Sequence, residues 1–287
     1  MTPSQRTRIG SLSRLGAVSL LSLGLIVAAS VAPATASPGA TPNGSAGGSY
    51  VAIGDSFTSG QGAAPYLPGP CLQSVSGSYP TITAEWSSYR EALNFACSGA
   101  DTADVLAQIG AIDGRIKSKA SLVTLTVGGI DAGSNQVLAE CAQDPTSAPC
   151  ASALSTAAVN LRTVVGPKLV GTYAAVALAF PKARIVVLNY PRLIDPSLES
   201  ALTTILNTAT NTLNAVIAGA VAATNNPRVS LTDVTDEFDG HGIGSLVPYI
   251  SYDLGHPGDP ANFHPNVLGN TAGYAAALRT DGAVRGR

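Results

Sequence analysis

Charged residues are scarce in this 287-residue chain, at 12%, and aromatic residues are scarcer still, at 5%. The four lysines are scattered along the chain rather than clustered. Nucleic-acid binders carry a concentrated basic face, so the composition argues against a nucleic-acid partner. The cysteines lack any C-x-x-C pair, which argues against a structural zinc site.

Long hydrophobic runs are missing beyond residue 36. Before that point, three arginines precede an apolar run over about 15–31, and Ala34-Thr35-Ala36 follows. A positive head, an apolar middle and a small-x-small end are typical of a secretory signal peptide. The run is shorter than the roughly 20 residues of a membrane-spanning helix. We therefore predict cleavage after Ala36 and a secreted protein, extracellular or associated with the cell envelope, with no membrane segment in the mature chain.

Residues 37–48 contain only Ser, Pro, Gly, Ala, Thr and Asn. Such a composition cannot bury a core and predicts a flexible linker. The remaining segment, 49–287, is long enough for one domain with a substantial core. Without the signal peptide, 13 basic and 18 acidic residues leave a net charge of about −5.

The four cysteines are Cys71, Cys97, Cys141 and Cys150. An even number in an exported chain favours two disulfides, and three pairings are possible. Cys141 and Cys150 bracket a short loop whose proline and polar residues suit a stapled turn, which leaves Cys71 to pair with Cys97. Four free thiols remain the alternative.

Short apolar or β-branched runs alternate with longer helical patterns, which predicts a mainly parallel sheet covered by helices on both faces. The predicted strands are 50–54, 92–96, 122–127, 184–188 and 229–232. Helices are predicted over 197–222, over 151–179 with a break or kink at Gly166-Pro167, and over 266–278. Ligands of such sheets bind beyond the carboxyl ends of the strands.

Ser56 lies in GDSFTSG, just beyond the carboxyl end of the first predicted strand. A serine hydroxyl needs a base and oxyanion donors to attack a carbonyl, and a glycine-rich turn alone is weak evidence for that chemistry. The chain has three histidines. His264 precedes the last predicted helix and is the candidate base, while His241 and His256 lie in glycine-rich loops that could line the same cleft.

Four blocks, GDSFTSG, NFACSGA, VTLTVGGID and NFHPN, occur in an order and spacing that resemble the SGNH hydrolases, or GDSL lipases and esterases. YPRLI and FDGHGIG resemble the secreted actinobacterial lipase branch. The resemblance implies a flavodoxin-like three-layer sandwich with a central five-stranded parallel sheet. It also implies that Ser56 is the nucleophile, that His264 is the base, and that the backbone N–H groups of Ser56 and Gly99 are oxyanion donors. Three consecutive-pair disulfides are common in this branch, and Gly244 stands where a relative often has cysteine, so two would remain.

The sequence departs from the family pattern at two points. Ile130 replaces the asparagine of the GxND block, which supplies the third oxyanion donor, and loss of one donor typically costs about 10²–10³ in turnover. Ala261 stands where the D-x-x-H aspartate belongs. We predict that the main-chain carbonyl of Asn262 orients His264 instead, with Asp259 as the alternative.

The resulting hypothesis is a secreted carboxylic ester hydrolase that acts through an acyl-enzyme, without metal or cofactor, on a small-molecule or lipid ester. The alternatives are a catalytically impaired member that binds acyl chains or glycans, and a carbohydrate acetylesterase. We predict a monomer. Asp55 and Asp131 are interpreted as loop-holding residues, and Trp86 and Tyr89 as packing residues.

Overall fold

A computed structural model describes residues 48–89 and 91–284 of the chain. The predicted signal peptide and all but the last residue of the predicted linker lie outside the described residues. The five strands are β1 (Ser49–Gly54), β2 (Ala92–Asn94), β3 (Ala120–Thr126), β4 (Arg184–Leu188) and β5 (Val229–Thr232). β2 is two residues shorter than predicted, although the N–H groups of Phe95 and Cys97 still donate to carbonyls of β1, at 2.7 and 3.0 Å.

The strands form one parallel sheet in the order β2-β1-β3-β4-β5. This is the flavodoxin-like order. β2 is added on one side of β1 and the later strands on the other, so the order of strands reverses between β1 and β3. The predicted fold class, an α/β three-layer sandwich around five parallel strands, is confirmed. Within the described ranges, no helix combines the length and the apolar character that crossing a membrane requires.

Alternate side chains of each strand point to opposite faces of the sheet, and this alternation divides the core into two parts. Tyr50, Ala52 and Leu122 belong to one buried cluster, whereas Val51 and Ile53 belong to the other. A strand that is buried on both faces is apolar at successive positions, which explains the uninterrupted apolar runs in the sequence.

Helices cover both faces and connect successive strands. Before β3 they are α1 (Ser56–Ser59), α2 (Tyr79–Trp86), α3 (Thr102–Ala111) and α4 (Gly114–Lys119). Between β3 and β4 they are α5 (Gly129–Ala132), α6 (Ser134–Gln143), α7 (Ala148–Asn160) and α8 (Gly166–Ala179). α9 (Ala201–Ala223) precedes β5, and α10 (Ala276–Thr280) follows it.

Two predicted helices contain π-helical turns. The pattern over 151–179 does not break at Gly166-Pro167: α7 runs through a π-helical segment, Leu161–Val165, directly into α8. A proline clashes with the carbonyl four residues earlier in an α-helix, and the wider π turn before Pro167 relieves that clash. A second π-helical segment, Gly269–Ala275, precedes α10 within the predicted terminal helix.

Both predicted disulfides are present. Cys141–Cys150 joins α6 to α7, and Cys71–Cys97 holds the loop that follows β2. At Gly244 φ is +93°, which disfavours a side chain, and a Cβ would lie 2.1 Å from Cδ1 of Leu198, so Leu198 would have to move.

Candidate active site

Three loops that carry predicted site residues lie side by side at the carboxyl edge of the sheet. β1 lies between β2 and β3, so Ser56 after β1 is flanked by the Gly99 loop after β2 and by Ile130 after β3. In the sequence Ser56 and Ile130 are 74 positions apart, and Gly99 lies between them. Their convergence follows from the strand order.

A tight turn presents Ser56. Gly54 has φ +125° and approaches β3 so closely that a Cβ would lie 2.3 Å from the carbonyl oxygen of Thr126. Asp55 then caps α1 by accepting a hydrogen bond from the N–H of Phe57, at 3.0 Å. Ser56 is therefore the first residue of a one-turn helix that ends at Gly60, which is left-handed at φ +86°.

His264 meets the serine as predicted from its position before the last helix. Its Nε2 lies 2.9 Å from Oγ of Ser56, and its Nδ1 lies 2.8 Å from the carbonyl oxygen of Asn262. A carbonyl oxygen only accepts, so Nδ1 carries the proton in the neutral ring and Nε2 presents a lone pair to the serine hydroxyl. This is the tautomer that a general base needs.

The Asn262 carbonyl is itself held in place. The Asn262 side chain accepts from the N–H of Asp253 at 2.7 Å and donates to the carbonyl of His256 at 2.9 Å. Asp259, the alternative partner, instead accepts from the N–H of Ala261 at 2.8 Å. The structure thus places the carbonyl, not the carboxylate, beside His264.

Burial lowers the pKa of His264 to about 4, and the hydrogen bond to Asn262 offsets only part of that effect. The ring of Phe57 lies against the imidazole, with centroids 5.3 Å apart. Because low-dielectric surroundings disfavour the charged imidazolium, His264 is neutral across the neutral pH range.

Two backbone N–H groups beside the serine are uncommitted. Neither the N–H of Ser56 nor that of Gly99 donates a hydrogen bond to any residue within 48–89 and 91–284. Gly99 adopts φ +77°, and a Cβ there would meet no atom within 4 Å, so its backbone faces open space. Unpaired donors of this kind can bind an oxyanion.

A cavity of about 590 Å³ opens beside Ser56 and His264. Ile130 lines it with an apolar side chain, so this position supplies no donor. Ser134 and Asn135, at the start of α6, line the same cavity.

A second cavity of about 480 Å³ continues from the first. The two share five lining residues: Ser134, Leu138, Leu193, Thr210 and Leu213. The second cavity is otherwise lined by alanine, valine and leucine side chains from α5, α6, α7, α9 and the π turn after α7. Together they form an apolar trough that begins at the serine.

Asp55 anchors a buried polar network that the sequence reasoning did not find. It accepts from Oγ1 of Thr126 at 2.5 Å and from the hydroxyl of Tyr190. Burial raises the pKa of Asp55 to about 6, and the hydrogen bonds from Thr126, Tyr190 and the N–H of Phe57 oppose that rise. The tyrosine of the YPRLI block was the available signal for Tyr190.

The other singled-out residues lie apart from this chemistry. Asp131 accepts from the N–H and hydroxyl of Thr102, at 2.9 and 2.8 Å, and pairs with Lys168 at 2.9 Å. The guanidinium of Arg279 lies 5.1 Å over the ring of Trp86. The rings of Tyr89 and Tyr50 lie 5.5 Å apart. These contacts agree with the structural interpretation of all three.

His241 and His256, which the sequence analysis considered as residues of the same cleft, lie outside it. His241 stacks on Tyr249, with centroids 3.8 Å apart, and His256 is exposed and pairs with Asp253 at 2.8 Å. Neither lines the cavity at Ser56. In the part of the chain that the structure describes, no three histidine, cysteine or acidic side chains are grouped to hold a metal ion.

The chain matches the model of the GDSL-like Lipase/Acylhydrolase family over residues 52–272. It is 32% identical to Lipase 1 of Streptomyces coelicolor over 270 residues, which cover 90% of this chain and 95% of that protein. The crystal structure of phospholipase A1 from Streptomyces albidoflavus NA297 superposes with a TM-score of 0.72 at 33% identity, over 81% of this chain and 98% of that one. The extracellular lipase of Streptomyces rimosus gives 0.70 at 31% identity, over 81% and 99%.

Proposed function

Because the chain belongs to the GDSL-like lipase/acylhydrolase family, and is therefore a carboxylic ester hydrolase, we propose that it acts through an acyl-enzyme on Ser56. The observation that carries this proposal is the continuous hydrogen-bonded series from Ser56 through His264 to the Asn262 carbonyl. A serine, its base and a group that orients the base are the parts that nucleophilic acyl transfer requires.

In the first half-reaction, Oγ of Ser56 bonds to the ester carbonyl carbon while its proton passes to Nε2 of His264. The carbonyl oxygen becomes an oxyanion that accepts from the N–H groups of Ser56 and Gly99. When the carbon–oxygen bond to the alcohol breaks, His264 returns its proton to the leaving alkoxide. A water molecule then attacks the acyl group on Ser56 by the same route, and carboxylic acid and free serine are released.

The carbonyl of Asn262 fixes the tautomer of His264 but carries no full negative charge. It therefore stabilises the imidazolium less than a carboxylate does. With Ile130 at the position of the third oxyanion donor, the site has two backbone donors in place of three. We propose a working but weakened catalyst, rather than a member that binds acyl chains or glycans without turnover.

The apolar trough favours lipid or other acyl esters over acetylated carbohydrate. Its second part is lined almost wholly by aliphatic side chains, which gain by covering an acyl chain and offer few partners for sugar hydroxyls. The phospholipase and lipase names of the relatives agree with that choice.

We also propose that the chain is exported, with residues 1–36 as signal peptide, 37–48 as linker and 49–287 as the catalytic domain. Two disulfides suit an oxidising compartment, and one relative is described as extracellular. We expect the mature enzyme to be a monomer that requires no metal or cofactor.

The decisive experiment is hydrolysis of p-nitrophenyl butyrate by the purified protein and by Ser56→Ala. We expect the variant to lose roughly 10⁴-fold or more in kcat, as when a serine nucleophile is removed elsewhere. Unchanged hydrolysis by Ser56→Ala would overturn the proposed mechanism. A matched Ser197→Ala variant, at a serine that bonds to Asp195 outside the cavity, should retain full activity.

A further inference from the structure

Gln61 lies at the end of the turn that presents the serine, and its N–H donates to the carbonyl of Ser56 at 3.1 Å. Its side chain is buried, since the residue is 7% exposed. A buried carboxamide is costly unless its donor and acceptor are both satisfied. The partners that satisfy it therefore indicate what Gln61 holds together.

Those partners lie on two different loops of the site. Nε2 of Gln61 donates to the carbonyl of Pro260 at 2.5 Å, and its Oε1 accepts from the hydroxyl of Ser98 at 2.6 Å. The carbonyl can only accept, which fixes the orientation of the amide. Ser98 directly precedes Gly99, and Pro260 lies four residues before His264. One amide group thus spans the loop of the oxyanion donor and the loop of the base.

The residue that follows packs against the same base. Gly62 has φ +100°, and a Cβ there would lie 2.5 Å from the carbonyl oxygen of Pro265 and 3.0 Å from Cβ of His264. The segment 61–62 therefore lies against the histidine loop both before and after His264 in the chain. Ser98 is also anchored, because its N–H donates to the carbonyl of Cys71 at 3.0 Å.

We propose that Gln61 is a positioning residue that fixes the distance between the N–H of Gly99 and the imidazole of His264. This proposal rests on the roles given to Gly99 and His264 in the proposed function. Both groups must meet the same ester carbonyl, one at its oxygen and the other beside the attacking Oγ. An error of about 1 Å in such an arrangement can cost about 10²-fold in rate.

The test is Gln61→Glu, which keeps the size and shape of the side chain. An ionised carboxylate still accepts from Ser98, but it has no proton to donate to the carbonyl of Pro260 and is repelled by it. A protonated carboxyl regains that donor, and burial raises its pKa above the ordinary value of about 4.3.

At pH 8 we expect kcat of Gln61→Glu on p-nitrophenyl butyrate to fall by roughly 10- to 100-fold, with little change in KM. As the pH is lowered toward about 5, the ratio of variant to wild-type kcat should climb back toward one, since protonation of a buried carboxyl lies in that range. His264 stays neutral over this range because its pKa is about 4. Because an ionised buried carboxyl can also unfold the protein at pH 8, circular dichroism at each pH must show Gln61→Glu folded, so that the recovery of kcat reports on the site.

The matched control is Gln143→Glu, at an exposed glutamine that ends α6 and bonds only to its own helix. It should follow the wild type at every pH. A Gln61→Glu variant that also follows the wild type from pH 8 to pH 5 would overturn the proposal. Ser56→Ala in the same assay distinguishes failure of this proposal from failure of the proposed function. Its loss of activity supports the serine mechanism whatever the result with Gln61→Glu.

A double-mutant cycle guards against a variant that is merely unstable. Ser98→Ala removes one hydroxyl, and we expect it to lower kcat by roughly threefold to tenfold, the value of one hydrogen bond. The Ser98 hydroxyl acts through its bond to Gln61. Ser98→Ala should therefore lower kcat little further in a Gln61→Ala background. Fully additive losses, measured at temperatures where all four proteins are folded, would overturn the proposal.

Discussion

The turns at the ends of β1 and β3 are built alike, from a glycine, a four-residue helix and a second glycine, except that Asp55 adds one capping residue to the first, and they carry opposite chemistry. The first has Gly54 at φ +125°, the four-residue helix Ser56–Ser59 and a left-handed Gly60 at φ +86°. The second has Gly128 at φ +123°, the four-residue helix Gly129–Ala132 and a left-handed Gly133 at φ +92°.

What differs between the two turns is the side chain that each delivers to the cavity. The first presents the hydroxyl of Ser56, whereas the second presents the hydrocarbon of Ile130. Under the proposed function, the second turn lacks a side-chain oxyanion donor because of the single residue Ile130, while its helical turn is fully formed.

The largest effect on kcat is expected from Ile130→Asn, which gives the second turn a polar side chain like the first. With a side-chain amide restored at an intact turn, we expect kcat on p-nitrophenyl butyrate to rise by roughly 10- to 100-fold, part of the 10²–10³ that one oxyanion donor is worth. The measurement is steady-state kcat beside an Ile130→Val control, which keeps the position apolar and should bring no gain.

One outcome would contradict that prediction in an informative way. Asn135 lines the same cavity, and its amide forms no hydrogen bond with another residue in the described ranges. If Asn135 already acts as the third donor, Ile130→Asn would bring no gain and Asn135→Ala would lower kcat. A gain with Ile130→Asn and no loss with Asn135→Ala would support the two-donor site.

Tyr190→Phe should break the link between the two turns. The Tyr190 hydroxyl donates to Asp55 at the first turn and accepts from the N–H of Gly129 at the second, at 3.3 Å. Its removal leaves a buried carboxylate with one donor fewer, so we expect the free energy of unfolding to fall by about 1–3 kcal/mol. Urea denaturation measures the change, and Tyr252→Phe, at a partly exposed tyrosine, is the control. An unchanged midpoint would show that the two turns are held independently.

The pH dependence should show the smallest effect. Since the pKa of His264 is lowered to about 4, its imidazole stays unprotonated as the pH falls from 8 to 5.5, and titration of this base should change kcat/KM by less than about twofold. Asp55, whose pKa burial raises to about 6, also titrates in this range, and Asp55→Asn identifies its share. An unshifted histidine, with a pKa of about 6.5, would lose about tenfold by pH 5.5. A profile with its midpoint near 6.5 would contradict the burial effect.

The same shift affects stability with a defined sign. His264 binds fewer protons in the folded state than in the unfolded state between about pH 4 and 6.5. Its contribution to folding stability is therefore complete above about pH 6.5 and is lost as the pH falls toward 4. Asp55 has the opposite effect on folding stability. Because burial raises its pKa to about 6, its titration lowers stability as the pH rises through about 6.

Much of the fold could be predicted from local pattern. The apolar strand runs and the periodic stripe of α9 are properties of neighbouring residues, and β4 and β5 matched the prediction at both ends. Pro167 indicated an irregularity in its helix, but a proline does not distinguish a break or kink from a π turn, and the π turn within the last helix has no proline to indicate it.

The candidate site was partly predictable for a similar reason. Ser56 and His264 lie in the GDSFTSG and NFHPN blocks, and the resemblance of those blocks to the SGNH hydrolases indicated both residues. Tyr190 opens the YPRLI block and Gln61 follows GDSFTSG, but neither block indicates what these two side chains bond to. Their importance comes from bonds to residues 135 and 199 positions away, which no local pattern encodes.

By itself, the sequence determined which chemistry is available: a serine in a glycine-rich turn, a histidine before the last helix, and an isoleucine at the position of a polar donor. Those facts are covalent and need no folding. Only the tertiary structure decided that Nε2 of His264 lies 2.9 Å from Ser56, that a carbonyl orients the ring, and that Gln61 joins two loops. Distances of that kind arise when the burial of the two core clusters brings remote segments to one edge of the sheet, so they are properties of the packed chain rather than of any segment.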